Sequence, residues 1–492
     1  MFRRNYLLFF VLVGLSILIF DSCFNQIIRT DSDTFLEFSK DTLAFDTVFT
    51  SLGSATRRMK VYNPYNDAVV IEKVMLENLA DDFFRLNIDG LAANVHENVE
   101  IAGGDSIYIF AEVTVDPDMP LSDSPFVVED FIRFSINGNN QSVLLSAWGQ
   151  NANYIPNSNN RGGQALLSCD FGQVVFDDPK PYVIYGVLVI DSCELVIPAG
   201  TDVYVHGGVV NTDNGAYNDG IIVVLENGRI TVNGTVDEPV VIQGDRLEQE
   251  YDDLPGQWAG IIVNDLSRNS VFKNTIVKNS IFGVRVDSLA EARFEQCQFY
   301  NQISSGIVGF HADEIYAENC LFYNAGGATV TLAYGGKFTL NYCTMASFDS
   351  GGSALAVSNF RCLEPTCLQG LLFNPVNLTM NNCVMIGDGQ DEVIFNDRSE
   401  EDDFEYQLDH CIVQVDELLE VVDFANFFEN CSDCINVTVQ DTVFNDVQAF
   451  DFRLDSMSIA LDRAIPIMGV DVDIIGRSRN PVMPDPGCYE FD

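Results

Sequence analysis

Two glutamates and a lysine occupy the same place in three similar, consecutive segments of the chain. In "FKNTIV", "FEQCQF" and "AENCLF" the second residue is Lys273, Glu295 and Glu318. If these segments stack, the two carboxylates project from neighbouring layers about 5 Å apart, with the ammonium group just below. Such a pair could bind Ca²⁺ or keep one carboxyl group protonated as an acid catalyst. We favour the simpler interpretation, a solvated column in which Lys273 offsets charge repulsion.

The loop "RLEQEYDDLPGQW" offers a second set of candidate residues, for ligand binding. The rings of Tyr251 and Trp258 could stack on sugars, and Asp252 and Asp253 could bind hydroxyl groups or Ca²⁺. The alternative is that Trp258 fills the interior of the adjoining structure, and we favour it for this residue.

An internal repeat of the sequence places these candidates. The segments named above continue as "LNYCTM", "MNNCVM" and "LDHCIV". Their aligned fourth residues are Thr275, Cys297, Cys320, Cys343, Cys383 and Cys411. The interval between neighbours is nearly constant from Thr275 to Cys343 and much longer between Cys343 and Cys383, so an insertion lies there. A constant repeat of about 23 residues indicates a solenoid.

Each repeat alternates apolar and polar residues with the period of a strand, not that of a helix. The residue before each aligned position is Asn274, Gln296, Asn319, Tyr342, Asn382 or His410. Asn tolerates the left-handed backbone of a tight bend, and stacked amides can bond along a column. The pattern therefore predicts a right-handed parallel β-helix with nine or ten coils, about 45 Å long at roughly 4.8 Å per coil. Stacked cysteines on such a ladder are expected to be buried thiols.

The stretch "VNGTVDEPVVIQGDRLEQEYDDLPGQWAGIIV" resembles the opening coils of right-handed β-helix lipoproteins of Bacteroidota. The C-terminal "VDIIGRSRNPVMPDPGCYEFD" is similar to the closing, choice-of-anchor-like segment of the same class. The resemblance implies a β-helix over residues 160–440 and a C-terminal cap over 441–492, in which Arg477 and Arg479 are structural. Pectate lyases and polygalacturonases share this pectin-lyase-like fold, which keeps an enzymatic alternative open, although fold alone does not fix function.

Residues 33–151 carry short alternating segments separated by turn signals, which predicts a β-sandwich. Asn137-Gly138 is a strong hairpin signal because both residues accept positive φ. Trp148, beside Gly149, is predicted to be a core or edge residue and not a binding aromatic. The segment resembles the immunoglobulin-like modules of Bacteroidota surface proteins. The fold class is therefore all-β, a sandwich followed by a solenoid.

The N-terminus has the features of an export signal. Arg3 and Arg4 precede an apolar run over residues 6–20, too short for a spanning helix, and Cys23 follows. This arrangement resembles a bacterial lipobox, which implies a signal peptide over 1–22, acylation of Cys23 and a tether over 23–32. The resemblance implies a lipoprotein of the cell envelope, held in the outer membrane.

Seven cysteines lie outside both the ladder and the anchor. Cys362 and Cys367, and Cys431 and Cys434, are close enough in sequence to close small disulfide loops in an exported protein. A zinc site is not expected, because the ligand spacing is wrong and the chain has only four histidines. No cofactor is predicted apart from the Ca²⁺ considered above.

The chain has 492 residues, with 26 Lys and Arg against 72 Asp and Glu, a formal charge of −46. This charge excludes nucleic acid as a partner and disfavours polyuronate substrates unless Ca²⁺ bridges them. We expect a membrane-anchored, non-catalytic scaffold or adhesion protein whose β-helix flank binds a glycan or a partner protein. The alternative is a polysaccharide lyase or glycoside hydrolase acting on the outer face of the solenoid.

Overall fold

The computed structural model describes residues 27–49, 56–80, 83–114, 126–156, 164–212, 215–248, 251–364, 367, 369–399 and 403–491. The chain divides into two compact units between Asn151 and Ala152. The predicted export signal and Cys23 lie outside the described residues. Within those residues, no helix combines the length and apolar character needed to cross a bilayer.

The first unit is a β-sandwich, as predicted. Its two five-stranded sheets share one apolar core, because alternate residues of strands such as Ser106–Val113 point inward. In spatial order, one sheet contains Glu37–Phe38, Arg57–Tyr62, Ser106–Val113, Phe84–Ile88 and Leu91–Ala92. The other contains Thr42–Phe49, Asn139–Gln150, Phe126–Ile136, Val69–Leu76 and Val95–Ile101.

The hairpin at Asn137-Gly138 is also as predicted. It joins two antiparallel strands, with φ of 47° at Asn137 and 83° at Gly138. The prediction for Trp148 is wrong. Its strand is paired on both sides, so it is not at an edge, and the indole is 52% exposed beside the half-exposed Val127. The pleat, and not the neighbouring glycine, turns this side chain towards solvent.

The second unit is a right-handed parallel β-helix with three strand-bearing faces. The first face contains Gln164–Leu167, Val187–Ile190, Ile221–Val224, Gly260–Val263, Val284–Val286, Leu355–Ser358 and Val393–Asn396. The second contains Gln173–Val175, Glu194–Pro198, Arg229–Asn233, Ser270–Lys273, Glu291–Glu295, Val376–Asn381, Phe404–Asp409 and Cys431–Ser432. Two long strands, Ile307–Glu318 and Val330–Asn341, run through both faces.

The third face lies beyond the bend predicted from the repeat. It contains Asn153–Ile155, Tyr182–Tyr185, Asp202–His206, Val240–Gly244, Thr275–Lys278, Gln298–Gln302, Leu321–Ala325, Thr344–Ser347, Val384–Gly387, Ile412–Val413 and Ile435–Asn436. All of its neighbouring strands pair in parallel.

Three antiparallel hairpins and four short 3-10 helices complete the regular structure of the described residues. The hairpins are Val209–Thr212 with Gly215–Asn218, Phe360–Cys362 with Leu371–Phe373, and Phe444–Asp446 with Asp451–Leu454. The 3-10 helices are Glu417–Glu420, Val422–Phe424, Phe427–Asn430 and Val447–Ala449. The middle hairpin accounts for the long interval between Cys343 and Cys383.

One left-handed residue makes the bend between the second and third faces in each repeat. The six predicted bend residues have φ between 43° and 56°, and they are Asn274, Gln296, Asn319, Tyr342, Asn382 and His410. Their side chains do not form the continuous amide stack that we expected. Asn274 bonds Gln296 at 3.5 Å, but the amides of Gln296 and Asn319 donate to the backbone of the C-terminal segment.

Inside the coils, equivalent side chains lie one above another. The ladder thiols of Cys297, Cys320, Cys343, Cys383 and Cys411 are unpaired and buried. Phe272 stacks on Phe294 with ring centroids 5.2 Å apart, and Phe299 stacks on Phe322 at the same distance. These columns form one continuous core along the β-helix, so the register predicted from the repeat is correct.

Three disulfides lie in the β-helix unit. Cys362–Cys367 closes the inserted hairpin and Cys431–Cys434 closes the short loop at the end of the solenoid, as the sequence suggested. Cys169–Cys193 was not predicted. It joins two neighbouring coils. Cys169 lies beside Ser192, which makes the bend of the next coil and directly precedes Cys193.

Candidate functional site

Lys273, Glu295 and Glu318 form the predicted column on the outside of the second face, because the strands that carry them pair in register. Glu295 pairs in register with Lys273 on one side and with Glu318 on the other. Lys273 Nζ lies 3.6 Å from Glu295 Oε2. The three side chains that the sequence singled out therefore belong to one cluster.

Arg293, which the sequence analysis missed, lies between the two glutamates. Its Nε bonds Glu295 Oε1, and its Nη2 lies 3.4 Å from Glu318 Oε2. Arg293 is two residues before Glu295 on the same strand, so the period of two alone puts both side chains on the outer face. That spacing was the available signal. Each carboxylate is therefore already paired with a cation.

Tyr316 completes the cluster. Its hydroxyl donates to Glu318 Oε2 at 2.6 Å and accepts from Asn341 Nδ2 at 3.2 Å, and its ring lies under the Arg293 guanidinium, 3.9 Å from centroid to Cζ. Burial raises the pKa of Tyr316 to about 12, and the bond to Glu318 adds to the rise. Tyr316 therefore remains a hydrogen-bond donor at physiological pH.

Glu318 has an unusual environment for a carboxylate on an outer face. Burial raises its pKa; the Tyr316 hydrogen bond opposes the rise, the charge of Glu295 adds to it, and Arg293 again opposes it. Glu318 is therefore protonated more readily than an exposed glutamate, which is the property that acid catalysis requires.

A cleft of about 380 Å³ opens over this cluster. The column and its bend residues line one wall, and the C-terminal segment 468–472 lines the other. Gln296 and Asn319 fix that segment by donating to the carbonyls of Asp473 and Val472, both at 3.0 Å. The cleft is lined mainly by groups that form hydrogen bonds, which suits a polar ligand.

The residues present do not fit a Ca²⁺ site. Calcium takes six to eight oxygen ligands, whereas the column offers only the carboxylates of Glu295 and Glu318. Both oxygens of Glu295 and Oε2 of Glu318 already contact Lys273, Arg293 or Tyr316. Across the residues that the structure describes, no three His, Cys, Asp or Glu side chains are grouped so that they could hold a metal ion.

The structure places Trp258 inside the coil, so this residue is not a ligand-binding aromatic. The indole has no exposed surface, and its Nε1 donates to the Lys278 carbonyl at 2.9 Å. The interior alternative was correct, and the backbone of Trp258 forms a parallel bridge with Ser280 of the next coil.

Tyr251, Asp252 and Asp253 remain on the surface of the loop and are held within it. The Arg246 guanidinium covers one face of Tyr251, 3.8 Å from the ring centroid. Asp252 pairs with Lys278 at 2.8 Å, and Asp253 accepts from Asn301 at 3.3 Å. Tyr251 is half-buried, and the structure does not bring the loop residues together with Glu295 or Glu318 in one cleft.

Comparison with known proteins agrees with the fold. Residues 184–345, about a third of the chain, match the family described as "right handed beta helix region". No curated protein matches the sequence. Among solved structures, the chain is similar to XylC in complex with xylose at 9% identity, with a TM-score of 0.30 and coverage of 89% of this chain and 85% of that chain.

Two further structures are more distant. The catalytic domain of a GH87 alpha-1,3-glucanase in complex with nigerose has 10% identity and a TM-score of 0.17, over 72% of this chain and 80% of that chain. A PapD-like domain of human CEP192 has 11% identity and a TM-score of 0.17, over 26% of this chain and 94% of that one. These scores carry no argument about function, and the family match to the β-helix is what the comparisons establish.

Proposed function

We propose that this chain is a lipid-anchored protein of the cell envelope that binds a glycan on the flank of its β-helix without cleaving it. The observation that carries the proposal is the contact of Arg293 with both Glu295 and Glu318. A hydrolase uses one carboxyl group as the acid and the other as nucleophile or base, and a cation beside a carboxylate lowers its pKa and makes it a weaker base. Here both carboxylates are paired with a cation beside a polar cleft.

The chemistry of the cleft suits sugar hydroxyls. Arg293 and Lys273 donate, Glu295 and Glu318 accept, and Tyr316 does both. The pairing of Arg293 with Tyr316 holds both planar groups in place, so little side-chain entropy is lost when a ligand binds. Sugars are neutral polyols, which a protein of net charge −46 does not repel.

The anchor rests on the sequence alone. Arg3, Arg4 and the apolar run end at Cys23 in the order of a lipoprotein signal, and stable attachment needs two or more acyl chains. The test is incorporation of labelled palmitate into the protein in the producing bacterium. We expect label in the wild type and none in Cys23→Ser, with the wild type in the outer-membrane fraction.

Glycan binding is tested with detergent-solubilised full-length protein on a glycan array, with and without Ca²⁺. We expect binding that Arg293→Ala weakens by about tenfold to a hundredfold, since a hydrogen bond to a charged group contributes about 1.5–3 kcal/mol. Lys337→Ala is the matched control, because Lys337 pairs with Glu314 on the same face and does not line the cleft. Equal binding by wild type and Arg293→Ala contradicts the site, and binding of no glycan favours a protein partner.

An enzyme is the second candidate, and the raised pKa of Glu318 favours it. Neighbouring coils are about 4.8 Å apart, close to the roughly 5–5.5 Å between the two carboxylates of retaining glycosidases. Incubation with a panel of neutral and acidic polysaccharides tests this alternative. Product that disappears in both Glu318→Gln and Glu295→Gln would establish catalysis and refute the non-catalytic proposal.

A further inference from the structure

The motif Cys431-Ser-Asp-Cys434 is a further rung of the thiol column. Ile435 pairs in register with Ile412, one residue after Cys411, and Cys431 pairs with Leu408. Asp433 has φ of 51°, the same left-handed value as the bend residue His410 one coil below. Cys434 therefore stands where Cys411 stands, one coil later. The sequence analysis missed this rung because it treated the motif as a separate loop.

This register gives Cys434 two sulfur neighbours. One is Cys431, its disulfide partner in the same coil, at a Cα–Cα distance of 5.6 Å. The other is Cys411, on the coil below at a rung spacing of about 4.8 Å, which lies within the 4.4–6.8 Å that disulfides span. The ladder thiols below have the same spacing and are unpaired; Cys411 differs from them because its upper neighbour is already in a disulfide that it can attack. The same solenoid joins neighbouring coils through one disulfide, Cys169–Cys193, with Cα atoms 5.0 Å apart, although these two cysteines are not register partners.

We propose that Cys411 competes with Cys431 for Cys434, which makes this end of the β-helix a thiol–disulfide exchange site. The Cys411 thiolate attacks Cys434 Sγ. The Cys431–Cys434 bond breaks, the Cys411–Cys434 bond forms, and Cys431 leaves as a thiolate that takes the proton lost by Cys411. No electrons are gained or lost overall, so no external oxidant is needed.

The different exposure of the three cysteines determines which sulfur a thiol from solution can attack. Cys411 is fully buried and Cys431 is 5% exposed, whereas Cys434 is half-buried. A small thiol therefore attacks the disulfide at Cys434, and the mixed disulfide is resolved from inside by Cys431 or Cys411. The substrate class is a low-molecular-weight thiol, and the site is independent of the glycan cleft.

The direct test is non-reducing peptide mapping of the folded full-length protein with a protease that cuts before Asp. Such cleavage at Asp433 separates Cys431 from Cys434, and cleavage at Asp416 and Asp423 separates Cys411 from both. In Cys431→Ser equilibrated with oxidised glutathione, which supplies the two-electron oxidation and leaves as two molecules of reduced glutathione, we expect a disulfide between Cys411 and Cys434. The matched variant is Cys434→Ser, in which Cys431 lies above Leu408 and is expected to stay a free thiol.

Two results would overturn the proposal. In folded Cys431→Ser, a Cys434 thiol that can be alkylated would contradict it, whether or not Cys383 and Cys411 form a disulfide. In Cys434→Ser, a disulfide between Cys411 and Cys431 would contradict it. If either variant fails to fold by circular dichroism, wild-type protein is equilibrated in a glutathione redox buffer, quenched with acid and mapped. Both isomers, Cys431–Cys434 and Cys411–Cys434, are then expected, and detection of Cys431–Cys434 alone refutes the exchange.

Discussion

Arg479 and Asn319 are 160 residues apart in sequence, yet Arg479 Nη2 donates to Asn319 Oδ1 at 2.6 Å. The same guanidinium donates to the carbonyls of Asp485 and Gly487, lies 3.3 Å from Glu490 and rests on the ring of Tyr342 at 3.8 Å. Asn319 and Tyr342 are bend residues of neighbouring coils. One buried arginine therefore ties the C-terminal segment to the bend column of the β-helix, and this column also forms a wall of the candidate cleft.

Replacement of Arg479 is expected to destabilise the β-helix unit strongly. Arg479→Ala leaves the carboxylate of Glu490, which is 7% exposed, without its cation, and breaking a buried pair in this way costs about 3–5 kcal/mol. Urea unfolding followed by circular dichroism measures the loss. Arg463→Ala is the control, since Arg463 is exposed and should change stability by less than about 0.5 kcal/mol. Similar losses in both variants would mean that Arg479 does not hold the segment.

Glu392 gives the β-helix unit a pH dependence of stability. Burial raises its pKa from 4.5 to about 7, although the amides of Ala354 and Gly389 donate to its carboxylate at 2.8 and 2.7 Å. The folded state thus binds an extra proton between about pH 4.5 and 7. The contribution to stability is present below the unfolded pKa and is lost as the pH rises through 7.

The expected effect of Glu392 is a fall of about 2–3 kcal/mol in the free energy of unfolding between pH 5 and pH 8. Urea titrations at the two pH values measure it. Glu392→Gln should flatten the difference, because the amide does not titrate, whereas Glu405→Gln on the exposed side of its strand should leave it unchanged. An unaltered difference in Glu392→Gln would assign the pH dependence to other groups.

Substitutions of Trp258 distinguish a structural role of this residue from a ligand-binding role. We expect Trp258→Ala to cost about 3–5 kcal/mol, because it opens a cavity in the solenoid core. Trp258→Phe should cost less, chiefly through the lost hydrogen bond to the Lys278 carbonyl. Since the indole has no exposed surface, glycan binding by folded Trp258→Phe should equal that of the wild type. A selective loss of binding at unchanged stability would restore Trp258 as a ligand contact.

The sequence analysis predicted the positions that follow from the repeat and missed contacts made by segments outside it. Equivalent residues of a solenoid stack, so Lys273, Glu295 and Glu318 could be placed in one column from spacing alone, as could the bends from Asn274 to His410. The contact of Gln296 with Asp473 has no repeat to reveal it, because the two residues are 177 apart and meet only when the C-terminal segment folds back. The wrong prediction for Trp148 has a different cause. Which face of a sandwich strand is buried depends on register, and its neighbouring glycine did not fix that register.

The ladder thiols offer a final prediction, on protection by burial. Burial raises the pKa of the Cys320 and Cys383 thiols, so few of them ionise at pH 8 and none meets solvent. Ellman's reagent at pH 8 should leave Cys297, Cys320, Cys343, Cys383 and Cys488 unmodified in the native protein and modify them in 6 M guanidinium chloride; Cys411 is set aside because of the exchange proposed above. The Cys23→Ser protein is the one to assay, because it removes the only cysteine outside the residues that the structure describes. Rapid native modification of Cys297, Cys320 or Cys343, located by mass spectrometry, would show that the coils open locally at the ladder.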